Sequence, residues 1–286
     1  NDEAPWKEEP SYNGKQQEAV FCQARAVAVM AGPGTGKTKT LLSRLQRLLV
    51  QREVEPSRIT AVTFTRQAAG EMRQRLEKLP GGKEAVERVQ IGTFHAICTR
   101  LLTEAGRPPV LADEGYAHSL ARRAKETFGF SMSTGKFLRE VSLRKYGLFG
   151  QGPVQAQAGD SLEEAVAWYG KQMEEDGVMD YDDLLLEGLK LFSKESAGTS
   201  GEGCPGTAVG ERFEYLLVDE FQDINPVQYR LILAWNQKGK ELFVIGDPDQ
   251  SIYGFRGSDA NCFARLREDF PGLVQIRLQE NYRSTG

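Results

Sequence analysis

The 286-residue chain is poor in the residue types that build metal cages and disulfide frameworks, with 4 cysteines and 2 histidines. Cys22, Cys98, Cys204 and Cys262 stand far apart and never as C-x-x-C, and only His95 and His118 could assist them. Structural zinc and a disulfide-stapled fold are therefore both poorly supported. No apolar run is long enough to span a bilayer, and no charged-then-apolar leader opens the chain, so the expectation is a cytoplasmic protein without membrane contact. An excess of one charge is missing too: 36 Lys and Arg against 40 Asp and Glu leave a net charge of -4. Any nucleic-acid contact must then come from a local surface rather than a basic coat. What remains, 40% apolar and 27% charged residues, is ordinary globular composition, enough for one large domain or two. The chain starts at Asn1 without methionine and ends at Gly286 just after a motif, which reads as a piece of a longer polypeptide.

Short apolar runs at 26–30, 59–64, 89–92, 215–218 and 241–245 are strand candidates, and the first three lead into helical patterns. This alternation predicts an α/β fold, a parallel sheet with helices on both faces. After the first run Leu41, Leu42, Leu45, Leu48 and Leu49 recur at helical spacing; after the second, Ala68, Ala69, Met72, Leu76 and Leu79 form one apolar face. Between about Leu101 and Phe192 strand signals vanish. There Tyr116, Leu120, Ala124 and Phe128 share a helix face, and Ser161 with Glu164 reads as a capping box. The expected organisation is a sheet domain in two segments, 1–100 and 205–286, split by a helical insertion at 101–204. Loops are expected at 147–159 and, glycine-rich and without periodicity, at 196–210.

Ala31 to Thr38 read Ala-Gly-Pro-Gly-Thr-Gly-Lys-Thr between a strand and a helix, the context a phosphate-binding loop requires. Gly32, Gly34 and Gly36, with Pro33 and Thr35 between them, let backbone N–H groups converge on phosphate oxygens, aided by the positive end of the following helix. Lys37 would reach the β and γ phosphates of ATP, and Thr38 would place a hydroxyl on Mg²⁺. Ala31 stands where the usual pattern has glycine. Far downstream, Leu216 to Asp223 read Leu-Leu-Val-Asp-Glu-Phe-Gln-Asp, a buried strand delivering carboxylates at its C-terminal end. Asp219 suits the metal, and Glu220 suits the attacking water. A glycine-rich turn alone or an acidic strand end alone would be unremarkable; together they form two halves of an ATP-hydrolysing site.

Other segments exceed what a generic ATPase needs. Phe64 and Thr65 follow the second strand, and Thr93, Phe94 and His95 stand at an equivalent strand end. Tyr253, Phe255 and Arg256 crowd into four positions of the Asp247 to Gly257 stretch. Aromatic faces stack bases while hydroxyls and arginine hold phosphates, a mixture suited to single-stranded nucleic acid. Taken singly, Phe64 and Phe94 read as core and His95 as a hydrogen-bonded, partly buried histidine.

The ordered set resembles superfamily 1 DNA helicases of the UvrD/Rep/PcrA type, over nearly the whole chain. It comprises Asn13-x-x-Gln16, the phosphate loop, Thr63-Phe64-Thr65, Thr93-Phe94-His95, Asp180-Tyr181-x-Asp183-Leu184-Leu185, Asp219 to Asp223, Gly246-Asp247-x-x-Gln250-Ser251-Ile252-Tyr253 and Asn281-Tyr282-Arg283-Ser284. The resemblance implies a RecA-like P-loop domain in which Gln16 reads the adenine edge, Gln250 senses the γ phosphate, Tyr282 stacks on the base and Arg283 is an arginine finger. It further implies that Phe64, Thr65, Thr93, His95, Tyr253, Phe255 and Arg256 line a track for single-stranded DNA, with single/double-strand junctions as substrates. The implied activity is ATP-driven 3′–5′ translocation with duplex unwinding, in which a second RecA-like domain, not found in this chain, closes on the nucleotide; the chain alone is expected to be poorly active. Departures are Tyr12 for leucine, Arg66-Gln67 for Asn-Lys, and Phe255 for tryptophan. A non-catalytic nucleotide- or protein-binding module and an RNA-directed motor of the same superfamily are the alternatives.

Overall fold

The computed structural model describes residues 12–79, 82–147, 161–192, 207–250 and 261–278, except the side chains of 207, 208 and 250. It divides into two compact units, one formed by Asn1–Ala96 with Pro205–Gly286, the other by Ile97–Cys204.

The first unit is built on six parallel strands: β1 (Ala26–Ala31), β2 (Ile59–Thr63), β3 (Gln90–Thr93), β4 (Tyr215–Val218), β5 (Glu241–Gly246) and β6 (Val274–Leu278), in the order β3-β2-β4-β5-β1-β6. All but β6 are buried almost throughout, which explains their unbroken apolar runs: a parallel sheet covered on both faces has no solvent side to alternate with. One face packs against α2 (Lys37–Val50) through Leu41, Leu45 and Leu48, and α3 (Arg66–Glu77) through Ala69, Met72 and Leu76. Elsewhere in this unit Trp235, at the end of α11 (Pro226–Trp235), stacks on Phe94 and Phe213 at 5.7 and 4.9 Å. The remaining helices of this unit are α1 (Gly14–Phe21), α4 (Gly82–Arg88), the start of α5 (Phe94–Glu104), α10 (Thr207–Glu211) and α12 (Cys262–Asp269).

Three details differ from the sequence reading. β6 pairs with β1 from Val27↔Val274 to Ala31↔Leu278, a strand the apolar-run criterion passes over because Gln275 and Arg277 interrupt it. Residues 207–210, expected as loop, begin α10. The helix expected to follow a Ser161 cap already includes Ser161 as its first residue. Gly147, where one loop was expected to begin, is in a turn at φ 72°, and the rest of the expected loops lies outside the described residues.

The second unit contains α6 (Glu114–Phe128), α7 (Thr134–Lys145), α8 (Ser161–Glu175) and α9 (Tyr181–Lys190). Its core gathers Leu120, Ala121 and Ala124 of α6 with Phe137, Val141, Ala165, Tyr169 and Met173. Gly129, in the left-handed region at φ 68°, stops α6 and turns the chain so that Phe130 stacks on Phe137 at 4.7 Å. Among the described residues no helix is long and apolar enough to cross a membrane.

Candidate nucleotide site and nucleic-acid edge

The glycines between β1 and α2 are required by the backbone: Gly34 and Gly36 sit at φ 75° and 87°. Thr35 closes the loop on itself, its hydroxyl donating to the Gly32 carbonyl at 2.7 Å. α2 then starts without a side-chain cap and without an acidic residue in its first turn, so its first N–H groups stay available to an anion.

Gln16 supports this loop. It is 1% exposed, its Oε1 accepts from Asn13 N at 3.4 Å in a capping box, and its Nε2 donates to the Thr35 carbonyl at 3.0 Å. A Cβ at Gly36 would stand 2.6 Å from that Nε2. α1 is in turn pinned at its other end, where Arg44 and Arg47 donate to the Val20 carbonyl at 2.6 and 3.0 Å while Arg44 is ion-paired with Glu241 at 2.8 Å. Here Gln16 holds the loop, and an adenine edge would draw on its remaining Nε2 hydrogen.

β4 delivers the carboxylates to the same edge of the sheet. Lys37 Nζ meets Glu220 Oε2 at 2.9 Å across 183 residues of sequence. Glu220 occupies the left-handed region at φ 46°, a conformation that costs a non-glycine residue on the order of 1 to 2 kcal/mol. Asp219 is 8% exposed, and its Oδ1 accepts from Glu220 N at 2.9 Å. Burial first and the neighbouring Glu220 second push its carboxyl up to about 6, against the pull of the Glu220 N–H and Lys37. Burial, then Glu220, likewise raises Asp223. A cation beside Asp219 would restore its charge, so a divalent metal fits this donor set. Among the described residues no group of three His, Cys, Asp or Glu forms a metal cage.

Three groups had no individual role in the sequence reading, two of them, Gln222 and Asp247, standing inside its motifs. Gln222, 4% exposed, links the end of β4 to the end of β5: its Nε2 donates to Glu220 Oε2 and its Oε1 accepts from Asp247 N, both at 2.8 Å. Asp247, 2% exposed, accepts from Asp249 N through Oδ1 at 3.1 Å, while its buried Oδ2 has no partner among the described residues. Arg277 of β6 lines, with Gly32, Pro33, Thr35 and Asp247, a cavity of about 320 Å³ beside the phosphate loop. Its signal was period-2 alternation, Val274, Ile276 and Leu278 inward with Gln275 and Arg277 between them.

Of the candidate DNA residues, Phe64, Thr65, Thr93 and His95 stand at the other half of the same sheet edge, since β2 and β3 lie beyond β4 from β1 and pair Thr63 with Thr93. Phe64 is half-buried with its ring edge-on to Phe94 at 6.1 Å, whereas Phe94 is a core residue at 1% exposure. Thr65 is exposed and caps α3, accepting from Ala68 N at 3.0 Å. Thr93 is 9% exposed and does the same for Ala96 N at 3.2 Å, with half-buried His95 one residue into α5. Of Gln250 only the backbone is described, ending a short 3-10 turn from Pro248. Tyr253, Phe255, Arg256, Tyr282 and Arg283 lie outside the described residues.

Comparison with known proteins matches residues 12–127 and 131–271 to the UvrD/REP helicase N-terminal domain family. An ATP-dependent DNA helicase PcrA of Staphylococcus epidermidis is 34% identical over 96% of this chain, and one of Staphylococcus aureus is 32% identical over 96%. The chain spans 38% of the length of either relative.

Proposed function

The chain belongs to the UvrD/Rep helicase family, as its N-terminal domain, and from that premise we propose that it is the ATP-binding portion of a cytoplasmic DNA motor. The motor hydrolyses ATP to move 3′ to 5′ along single-stranded DNA and to open duplexes from single/double-strand junctions. The observation that carries this reading is the Lys37–Glu220 contact at 2.9 Å beside buried Asp219, which joins phosphate loop and acidic strand end into one site.

The triphosphate lies over the loop 31–36, its oxygens taking backbone N–H groups at the start of α2. Its β and γ oxygens compete with Glu220 for the Lys37 ammonium. As Lys37 turns to phosphate, Glu220 is released to orient a water and accept its proton. The water oxygen bonds to the γ phosphorus, the bond to the β–γ bridging oxygen breaks, and the electron pair leaves with ADP. Thr38 and Asp219 would hold Mg²⁺, which supplies charge neutralisation on the β and γ oxygens when bound. Gln250 reads the γ phosphate, Tyr282 stacks on the base and Arg283 acts as an arginine finger. Phe64, Thr65, Thr93, His95, Tyr253, Phe255 and Arg256 form the DNA track, with residues 101–204 as a helical insertion. A second RecA-like domain, in the longer polypeptide, closes the site. Arginine fingers contribute on the order of 10³ to 10⁵ in rate only when held against the γ phosphate, so the chain by itself turns over very slowly.

Steady-state ATP hydrolysis by the intact polypeptide, with DNA or RNA oligonucleotides added, tests the proposal. Stimulation by single-stranded DNA, abolished by Lys37→Ala, is expected. Equal stimulation by RNA would redirect the motor, and hydrolysis indifferent to Lys37→Ala would remove the site.

A further inference from the structure

Glu220 ends a three-torsion side chain that is 37% exposed, and in the mechanism above its ammonium partner is drawn away by phosphate. Some other group must keep its carboxylate aimed. Gln222 is placed to do so. Its Nε2 donates at 2.8 Å to Glu220 Oε2, the oxygen that Lys37 also holds, and lies 3.4 Å from Asp223 Oδ2. Its Oε1 takes the Asp247 N–H at 2.8 Å. Both ends of the amide are thus engaged, at 4% exposure, across the C-terminal ends of adjacent strands β4 and β5. The bridge has a second requirement on β5: a Cβ at Gly246 would run into Gln222 Oε1 and stand 2.9 Å from Phe221 N and 3.1 Å from Gln222 N. Gly246 keeps the space in which the amide sits.

We propose that Gln222 is a positioning residue of the ATPase, holding the Glu220 carboxylate in line and tying its placement to the backbone at Asp247. This rests on the reading of Glu220 as the water-orienting carboxylate.

The test uses the intact polypeptide with saturating single-stranded DNA. Gln222→Met, of similar length but without either hydrogen bond, is expected to lower kcat by about 10- to 100-fold, the range for groups that orient a reacting ligand. KM for ATP should stay within about twofold, because the loss falls on the transition state rather than on binding. Gly246→Ala keeps the amide but crowds it together with the backbone at Phe221 and Gln222, and should lower kcat in the same direction. A rise in KM without loss of kcat would overturn the proposal, as would wild-type kcat in both variants. Lys37→Ala run alongside separates the two levels: if it also leaves hydrolysis intact, the site reading has failed; if it silences hydrolysis while Gln222→Met does not, only the bridge has.

Discussion

Two acidic stretches of this chain look alike as sequence and behave oppositely as structure. Asp180-Tyr181-Asp182-Asp183 opens α9, and Asp219-Glu220-Phe221-Gln222-Asp223 closes β4. In the first, every carboxylate has a local partner. Asp180 caps the helix, Lys145 meets Asp180 at 2.6 Å and Asp183 at 2.8 Å, and Asp182 takes Ser142 at 2.6 Å and the Tyr146 hydroxyl. Burial works against the Lys145 charge, yet the two aspartates hold its pKa above the ordinary value. In the second, Lys37 meets Glu220, Asp219 is driven up to about 6, and the Asp223 Oδ1 is buried without a partner among the described residues. Nearby on β5, Asp247 Oδ2 is in the same condition. Among the described residues, all buried side-chain polar atoms lacking a partner belong to the sheet unit. Each stretch sets one ammonium against three carboxylates, and burial raises Asp183 as it raises Asp219 and Asp223; what differs is that the α9 carboxylates also take up a helix start and two hydroxyls, whereas oxygens of Asp223 and Asp247 are buried without a partner among the described residues.

The largest effect should come from Glu220→Gln, which keeps shape and removes the proton acceptor: ATP turnover by the intact polypeptide should drop by about 10² to 10⁴, the usual contribution of a positioned base. The matching change in the other stretch is Lys145→Met. It leaves two aspartates facing each other without their cation, and should cost on the order of 2 to 3 kcal/mol in urea unfolding, below the full cost of a dry buried pair because these groups keep some solvent contact. Nucleotide affinity should be unchanged by it. A variant that unfolds no sooner, or that loses nucleotide, would dissolve the contrast between a structural and a functional acidic cluster.

Asp219 sharpens the same contrast through pH. Its folded pKa of about 6 lies above the ordinary 3.8, so between those values the folded chain keeps a proton that the unfolded chain has released. Stability from this group is therefore fully present below the unfolded pKa, falls as pH rises through the folded pKa, and stays lost above it. Asp219→Asn should raise nucleotide-free stability at pH 7.5 by about 1 to 3 kcal/mol, from a shift of roughly two units at about 1.4 kcal/mol each. Near pH 3.5 the gain should vanish. Thermal melts of both proteins across that range check the sign: an asparagine variant less stable at pH 7.5 would mean the carboxylate is already compensated.

How much of this was legible follows from whether the information is local. That Lys37, Asp219 and Glu220 would come together could be expected because a glycine loop between strand and helix, and carboxylates after a buried strand, are each confined to a few residues. Five strands announced themselves by unbroken burial, whereas β6, an edge strand with exposed Arg277, carries its signal in alternation and was missed. The roles of Gln222, Gly246 and Asp247 could not be read along the chain. They depend on the β4–β5 pairing, Val218 opposite Val244, which brings two turns side by side. Gln16 shows a third case: its motif was visible, but its commitment to the Thr35 carbonyl is a tertiary contact.

The smallest effect separates two roles of one hydroxyl. Thr65 spends a lone pair on Ala68 N, and as an exposed cap its loss in Thr65→Ala should cost about 1 kcal/mol. A hydroxyl that accepts as a cap still has its own proton to donate, and a DNA phosphate would take it. Aspartate caps as well as threonine but offers no proton and repels phosphate. Thr65→Asp should therefore hold stability within a few tenths of a kcal/mol of the parent while weakening single-stranded DNA binding, most visibly at low salt where the repulsion is least screened. Thr93, the corresponding cap on β3, is 9% exposed and should not tolerate the same change, because its carboxylate would be buried. Unchanged DNA affinity in Thr65→Asp would leave Thr65 as a helix cap alone and move the DNA track off the end of β2.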